Sequence, residues 1–371
     1  MSQIQFAGKP AAALQSTSGF NLSDLFASAL PDLATLQQTL GDFIGYSQHA
    51  RLLQLDVEGI DLPWLVERWQ GKEALNAPFS HELTVLLMQA RLSLDDLLGR
   101  VAILTLLQAD GSQRRFSGII DSIAQLGADG GLARYGLHLV PATHYATLQG
   151  GSLVWQDLAV DSITDRILAR YTPHVRHRWQ LGSALKPRSL CVQYQETDWQ
   201  FLTRLWSEEG ISYYYEHSQE SSSEGSGHTL VLVDTQHTWP AHPAIAYGRI
   251  SSALGDDRID TLKLNHALHT GTTTRASWDY KTLVAPAASA QDSLYPNAPE
   301  LEDYSGSGAY RHANNDDAQA QAARIQAAYR HAMHIYQGGG AVRILAPGAH
   351  FTLTEHADFV ADYDYLIQAL G

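Results

Sequence analysis

The stretch CVQYQETDWQFLTRLWSEEGISYYYEH, residues 191–217, is the densest in the chain and decides how the rest is read. It holds acids, an arginine, two tryptophans and a run of three tyrosines. It parses as strand, helix, stop, strand. Val192 and Tyr194 alternate along the first strand. Thr197 is a good N-cap, and Gln200 three residues on completes a capping box. Asp198 in the first turn complements the helix dipole. Phe201, Leu202, Leu205 and Trp206 form one apolar stripe. Gly210 takes the left-handed position after the helix. ISYYYEH, residues 211–217, is the second strand, with HTLVLVD, residues 228–234, as its hairpin partner. One feature resists this parse. Glu208 and Glu209 lie at the helix C-terminus, where the dipole disfavours negative charge. Arg204 offsets Glu208 only in the weaker i,i+4 orientation. The expectation is that Arg204 and one of these glutamates are tied into the fold or to a neighbouring chain.

Upstream the period is two. RLLQLDV (51–57), HELTVLL (81–87), RVAILTLL (100–107), RRFSGIIDSIA (114–124) and LARYGLHLV (132–140) read as strands. QADGSQ and LGADGG between them are hairpin turns, since Asp-Gly and Gly-Gly accept positive φ. Consecutive antiparallel strands predict a small barrel or sandwich over about 50–145. VDSITDRILARY (160–171) predicts a helix capped by Asp161. Residues 218–227 read as a polar loop, and 257–268 and 274–280 as strands. Residues 282–310, rich in Pro, Ala and Ser, read as a surface excursion. An alanine-rich helix is predicted over 316–334, stopped by Gly338–Gly340, with strands closing the chain. The predicted division is an extension over 1–47 with a short amphipathic helix at Leu33, Leu36 and Leu40, a first β-barrel over 48–145, a mixed α/β region over 146–255 and a second β-rich region over 256–371.

Composition excludes several functions. At 371 residues and 44% hydrophobic, the chain can bury large cores. A net charge of -14 repels a phosphate backbone, which argues against nucleic-acid binding. Cys191 is the only cysteine, so no internal disulfide exists. The N-terminus lacks a basic-then-apolar signal, and no apolar run reaches the 18–20 residues that span a bilayer, so no membrane insertion is expected. Folding in the cytoplasm follows.

Candidate chemistry is thin. The pairs His174/His177, His266/His269 and His331/His334 have i,i+3 spacing, but none carries the glutamate of HExxH, so no metal is expected. No serine is flanked as in G-x-S-x-G. Cys191 sits in an apolar strand pattern, and no phosphate loop precedes a helix. Glu208 and Glu209 diverge by about 100° on a helix and cannot form a glycosidase pair alone. Glu196 or Asp198 could face one of them, and the aromatics could stack on sugar, which keeps a carbohydrate-active enzyme as the remaining enzyme reading. The expectation is a chain with no catalytic residues and no cofactor.

The same stretch resembles the signature of VgrG proteins, the spike of the type VI secretion system. The match is carried by Gln193, Tyr194, Glu196, Thr197, Asp198, Phe201, Arg204, Leu205, Glu209, Gly210, Ile211, Tyr213 and Tyr215. Residues 66–86, 97–123 and 343–356 are similar to further blocks of that family, so the resemblance covers about 50–371. It implies a β-rich α+β chain with two related small β-barrel domains and an intervening α/β region, like a phage baseplate hub. It further implies a homotrimeric ring of pseudo-sixfold symmetry that adapts the hexameric Hcp tube to a needle and helps deliver effectors. An OB-like domain, a β-helix needle and a PAAR-type tip follow in the family, and this sequence stops before them. Export through the machine itself needs no signal peptide. A baseplate hub of a contractile phage or phage-derived particle, in contact with other baseplate proteins, is the alternative the resemblance leaves open.

Overall fold

The computed structural model describes residues 52–88, 92–108, 111–129, 132–220, 226–248, 257–279, 282–292, 297–309, 312–356 and 364–371. The extension over 1–47 and its expected helix lie outside them. Six strands build the first unit, with alternating burial clearest in the third and sixth: β1 (Leu53–Val57), β2 (Ile60–Ala74), β3 (Ala77–Leu87), β4 (Val101–Leu107), β5 (Gln113–Asp129) and β6 (Leu132–Val140). They pair antiparallel in the order β1-β4-β5-β6-β3-β2. β1 also pairs with β2, Leu55 opposite Trp64, and this closes the sheet into a barrel. Closure leaves no free edge between these strands. Leu55, Trp64, Val85, Leu104 and Tyr135 fill the interior. Arg134 and His138, on the opposite parity of β6, face outward, as period two requires.

The middle region follows as α1 (Tyr145–Leu148), β7 (Gly150–Leu158), α2 (Val160–Leu168), β8 (His177–Gln180), β9 (Arg188–Thr197), α3 (Asp198–Glu209), β10 (Ser212–His217) and β11 (His228–Val233). β7 and β9 form a two-stranded ribbon, and β10-β11-β8 form a sheet in which β10 and β11 are the expected hairpin. One core spans the barrel floor, α2 and α3, and includes Ile119, Ile163, Ile167, Leu202 and Trp206. The N-cap of α2 is Ala159, with no side-chain cap, so Asp161 sits inside the first turn instead of capping it, where its Oδ1 accepts the N–H of Ser162 at 2.7 Å.

The last region comprises β12 (Ile245–Tyr247), β13 (Arg258–His266), β14 (Thr272–Trp278), β15 (Ala287–Gln291), β16 (Glu302–Ala309), α4 (Asn315–Met333), β17 (His334–Ala341), β18 (His350–Thr354), β19 (Asp364–Leu366) and β20 (Ala369–Leu370). β17-β13-β12-β18-β19 make one sheet and β15-β14-β16 another. Strands cross the expected boundaries: β12 comes from upstream of residue 256, and β20 pairs back onto β2 of the barrel, Leu370 opposite Glu73.

Two expectations are corrected here. The segment 282–310 supplies β15 and β16. Their Ala, Ser and Gly side chains give no apolar period, and the backbone ladder to β14 and the 2.6 Å pair of Arg275 with Asp303 hold them instead. Gly338–Gly340 do not stop the helix. α4 ends at Met333, and the glycines run inside β17 opposite Leu262, Thr261 and Ile259. A Cβ on Gly340 would lie 2.2 Å from the Arg258 carbonyl oxygen and 2.7 Å from the Ile259 Cα. This β13 backbone cannot yield as a side chain would, so Gly340→Ala is expected to destabilise by roughly 2 kcal/mol. A urea midpoint no lower than wild type would refute that close packing.

Candidate functional site

The signature segment forms a joint between the β7–β9 ribbon and α3, and its strand is turned inside out. On β9 the buried residues are Cys191 and Gln193, and the outward ones are Leu190, Val192 and Tyr194. Val154 of β7 lies directly opposite Val192 and shares the outer face. Val154 and Leu190 are each 60% exposed and Tyr194 is 66% exposed. A strand that places Gln inside and Leu, Val and Tyr outside reverses the usual pattern. The interior reason is Asp198. The residue is 1% exposed, and Gln193 Nε2 donates to its Oδ1 at 2.9 Å. Arg170 and Tyr171 donate to Oδ2 at 3.1 and 2.7 Å. A buried carboxylate needs such partners, and Gln193 must point inward to supply one. Burial and then the bond to Asp198 push the Tyr171 hydroxyl pKa well above its ordinary value of 10.0.

Thr197 Oγ1 accepts the Gln200 N–H at 3.1 Å, and Gln200 Oε1 accepts the Thr197 N–H at 2.9 Å. Gly210 closes the helix at φ 73°, and a Cβ there would also meet Arg324 Cδ at 2.7 Å. The misplaced helix-end acids find their cation on β9. Arg188 donates to Glu208 at 2.6 Å and binds Glu209 through two nitrogens. Arg204 grips Glu196 with two nitrogens at 2.7 and 3.0 Å, reaches the Val192 carbonyl at 3.1 Å, and extends to Glu208 at 3.4 Å. Hydrogen bonding to Arg204, against a smaller effect of burial, holds the Glu196 carboxyl below its usual range. The result is a chain of alternating charge, Glu209–Arg188–Glu208–Arg204–Glu196, tying both ends of β9 to α3 within one chain.

The aromatics of the joint are interior. Trp199, Trp206 and Tyr213 meet edge to face with centroids 5.3–5.5 Å apart, and Phe79 of β3 meets Tyr215 the same way at 5.2 Å. Trp206 is 1% exposed, and its Nε1 donates to Thr164 Oγ1 at 3.0 Å. This triad of buried rings is closed to a sugar. Glu196 and Asp198 serve Arg204 and the Gln193–Arg170–Tyr171 set, and neither faces Glu208 or Glu209 as an acid–base pair.

The histidines that matter are not the i,i+3 pairs. Instead, His266 and His334 of different pairs meet across β13 and β17. Among the described residues, one group brings metal-capable atoms within 4.8 Å of one another: Glu73, His81 and His217, at the seam between barrel and joint. Sequence reasoning missed it because its members come from β2, β3 and β10. The Ser117 N–H points at His217 Nδ1 at 3.0 Å, so the ring proton sits on Nε2, which donates to Glu73 Oε1 at 2.9 Å. That nitrogen has no lone pair left for a cation. The cluster is a hydrogen-bonded seam, extended by Arg114 at 3.5 Å from Glu73 and by His228, whose Nε2 accepts the Ala142 N–H at 2.9 Å.

A family model for the phage tail baseplate hub matches residues 72–370. The chain belongs to that family. Among its relatives, the type VI secretion spike protein VgrG4b of Pseudomonas aeruginosa is 32% identical over 67% of this chain and 30% of its own length. VgrG3 of Vibrio cholerae is 26% identical over 86% of this chain and 32% of its own. The chain thus spans about a third of these relatives. A component of the Escherichia coli type VI secretion system, described as similar to the T4 bacteriophage tail proteins gp27 and gp5, has the same fold, with TM-score 0.63 at 19% identity over 85% of this chain and 71% of its own. A tail protein of Neisseria meningitidis gives 0.60 at 15% identity over 86% of this chain and 90% of its own. A prophage tail protein of Shewanella oneidensis gives 0.59 at 12% identity over 85% and 92%. The hub fold therefore accounts for the barrel, the joint and the trailing sheets together.

Two outcomes test this site. Arg188→Ala leaves Glu208 and Glu209 repelling each other at the wrong end of a helix, and about a fifth exposed they are screened only in part. We expect a loss of roughly 1–3 kcal/mol in denaturant unfolding, larger than for the more exposed Arg204→Ala. An Arg188→Ala midpoint equal to wild type would dismiss the network as a determinant of stability. The second concerns acid. Burial pushes His81 down to about 4 and His228 to about 3 from an ordinary 6.5. Burial tends to raise Glu73, but the hydrogen bond from His217, with the Arg114 guanidinium close by, outweighs it and brings it to about 2 from 4.5. In each case the unfolded chain binds the proton first. Stability is therefore full above pH 6.5 and declines as the pH falls, through the two histidines from 6.5 and additionally through Glu73 below 4.5. Urea midpoints between pH 7.5 and 4.5 are expected to drop, and less steeply in His81→Phe; a flat profile contradicts the burial of neutral histidine.

Proposed function

We propose that this chain is the base of a type VI secretion spike, three copies closing into a ring of pseudo-sixfold symmetry that joins the hexameric Hcp tube to a needle. Its part in that assembly is mechanical. The observation that carries the reading is the outward face of the ribbon, where Val154, Leu190, Val192 and Tyr194 stand together in solvent. Exposed apolar side chains grouped on one face mark an interaction surface, and burying each aliphatic one contributes about 1.5–3 kcal/mol. A second copy of the chain is the occupant we assign, since the charge network beneath holds the face rigid and self-assembly suits a ring. Within a longer protein the needle, a PAAR-type tip and effectors would follow on the same axis, and the whole would leave the cell through the machine it builds.

A second reading has its own support. The fold is shared with two solved tail proteins, at TM-scores of 0.60 and 0.59. A baseplate hub of a phage or phage-derived particle, contacting other baseplate proteins, is supported by that likeness.

Light scattering after size exclusion is the test. A mass near three chains is expected for the wild type, and Val192→Asp with Leu190→Asp should return it to one chain while circular dichroism stays unchanged. A folded monomer in the wild type would overturn the assignment of the ribbon to self-assembly. Retention of Hcp hexamers on the immobilised trimer would favour the secretion spike over the phage hub.

A further inference from the structure

The outer wall of the barrel carries a polar arrangement of its own. Ser80 Oγ lies 2.7 Å from His138 Nε2, and His138 Nδ1 lies 2.6 Å from Asp121 Oδ1. The order hydroxyl, imidazole, carboxylate is that of an acyl-transfer triad, which is recognised by geometry and not by position in the sequence. All three side chains are partly exposed. We propose that Ser80, His138 and Asp121 form a reactive-serine centre that transfers the acyl group of a carboxylic ester to water.

The fold explains how the three meet. Ser80 is on β3, His138 on the adjacent β6, and Asp121 on β5 beyond it. On β3 and β6, Glu82 is opposite His138, so Ser80 is its diagonal neighbour on the same face. On β5 the register shifts between Ile120, opposite Leu139, and Ser122, opposite His138. Asp121 is the extra residue of that bulge. Bulges re-aim a side chain and concentrate next to active sites; this one turns a carboxylate onto the imidazole. Asp121 fixes the tautomer with hydrogen on Nδ1, which leaves Nε2 as the acceptor facing the hydroxyl.

Beside His138 a groove of about 310 Å³ runs over the outer sheet, walled by Arg68, Gln70 and Glu82. Lys72 stands opposite Ser80 on β2. The neighbouring backbone N–H groups are engaged in the sheet ladder, so positive charge for a developing oxyanion comes from Lys72. In the first step Ser80 Oγ bonds to the ester carbonyl carbon and its proton passes to His138 Nε2. The bond from that carbon to the alcohol oxygen then breaks, and the departing alkoxide takes the proton from His138. Water attacks the acyl-serine by the same route, giving its proton to His138, which returns it to Ser80 as the acid leaves. Ser80 and His138 are the catalytic residues, and Asp121 is a positioning residue.

A fluorophosphonate probe on the full chain, followed by peptide mass spectrometry, reads the centre directly, with hydrolysis of p-nitrophenyl acetate as the second measurement. Ser80 is expected to be the dominant labelled serine in the folded protein and to lose that preference in urea, a comparison that needs no variant. His138→Gln, with an unchanged circular dichroism spectrum, should slow labelling and ester hydrolysis roughly a hundredfold. Asp121→Asn should displace the pH profile of labelling, which a purely structural carboxylate would leave in place. Absence of Ser80 labelling in the folded wild type, or labelling at an equal rate in His138→Gln, overturns the proposal.

Discussion

A carboxylate that water cannot reach organises the middle of this chain. Asp198 begins α3, and its two oxygens are spent on Gln193, Arg170 and Tyr171. Its own N–H donates to the Gln149 carbonyl at 2.9 Å. Four residues from three segments therefore converge on one side chain and its backbone. Removing any donor would leave part of a charge buried without a partner, a cost of several kcal/mol. The parity of β9 follows from it. Because Gln193 must turn inward, every second residue from Leu190 to Tyr194 must turn outward. The apolar outer face of the ribbon is the geometric consequence of satisfying a charge on the inner one.

The charge chain on the opposite end of α3 completes the joint. Asp198 fixes where the helix starts, while Arg188 and Arg204 fix where it ends relative to β9. Strand and helix are thereby held at two points about a dozen residues apart, and neither can slide or rotate against the other. Isolated surface ion pairs contribute little, but a network with shared carboxylates and bidentate contacts has less side-chain freedom left to lose. Rigidity of this kind is what an interaction surface needs, since ordering it on assembly then costs little.

The legible part of the structure was the local part. The capping box, the left-handed Gly210, the apolar stripe of α3 and the alternation of the barrel strands each depend on residues within a few positions of one another. The unread part depended on distance along the chain. Arg188 lies twenty residues from Glu208, and nothing local marks it as the answer to the helix-end charges. β15 and β16 look like a surface excursion because small polar side chains leave no period when the backbone ladder supplies the pairing. Gly340 looks like a stop signal because a glycine run after a helix has that meaning more often than close strand packing. Glu73, His81 and His217, and likewise Ser80, Asp121 and His138, are scattered over strands that only the completed fold brings side by side.

Closure also explains why the polar cluster and the apolar face occupy different walls. In a closed barrel the inner residues of adjacent strands form one apolar layer, so polar side chains collect outside, where cross-strand neighbours sit about 5 Å apart. At that spacing a serine, a histidine and a bulged aspartate fall into hydrogen-bonding distance without a loop to hold them. The ribbon has no such layer on its outer face, because the joint beneath has already taken the polar residues inward. Polar side chains thus gather on the barrel wall and apolar ones on the ribbon for a single reason: each strand has two faces, and whichever group the interior claims decides what the exterior displays.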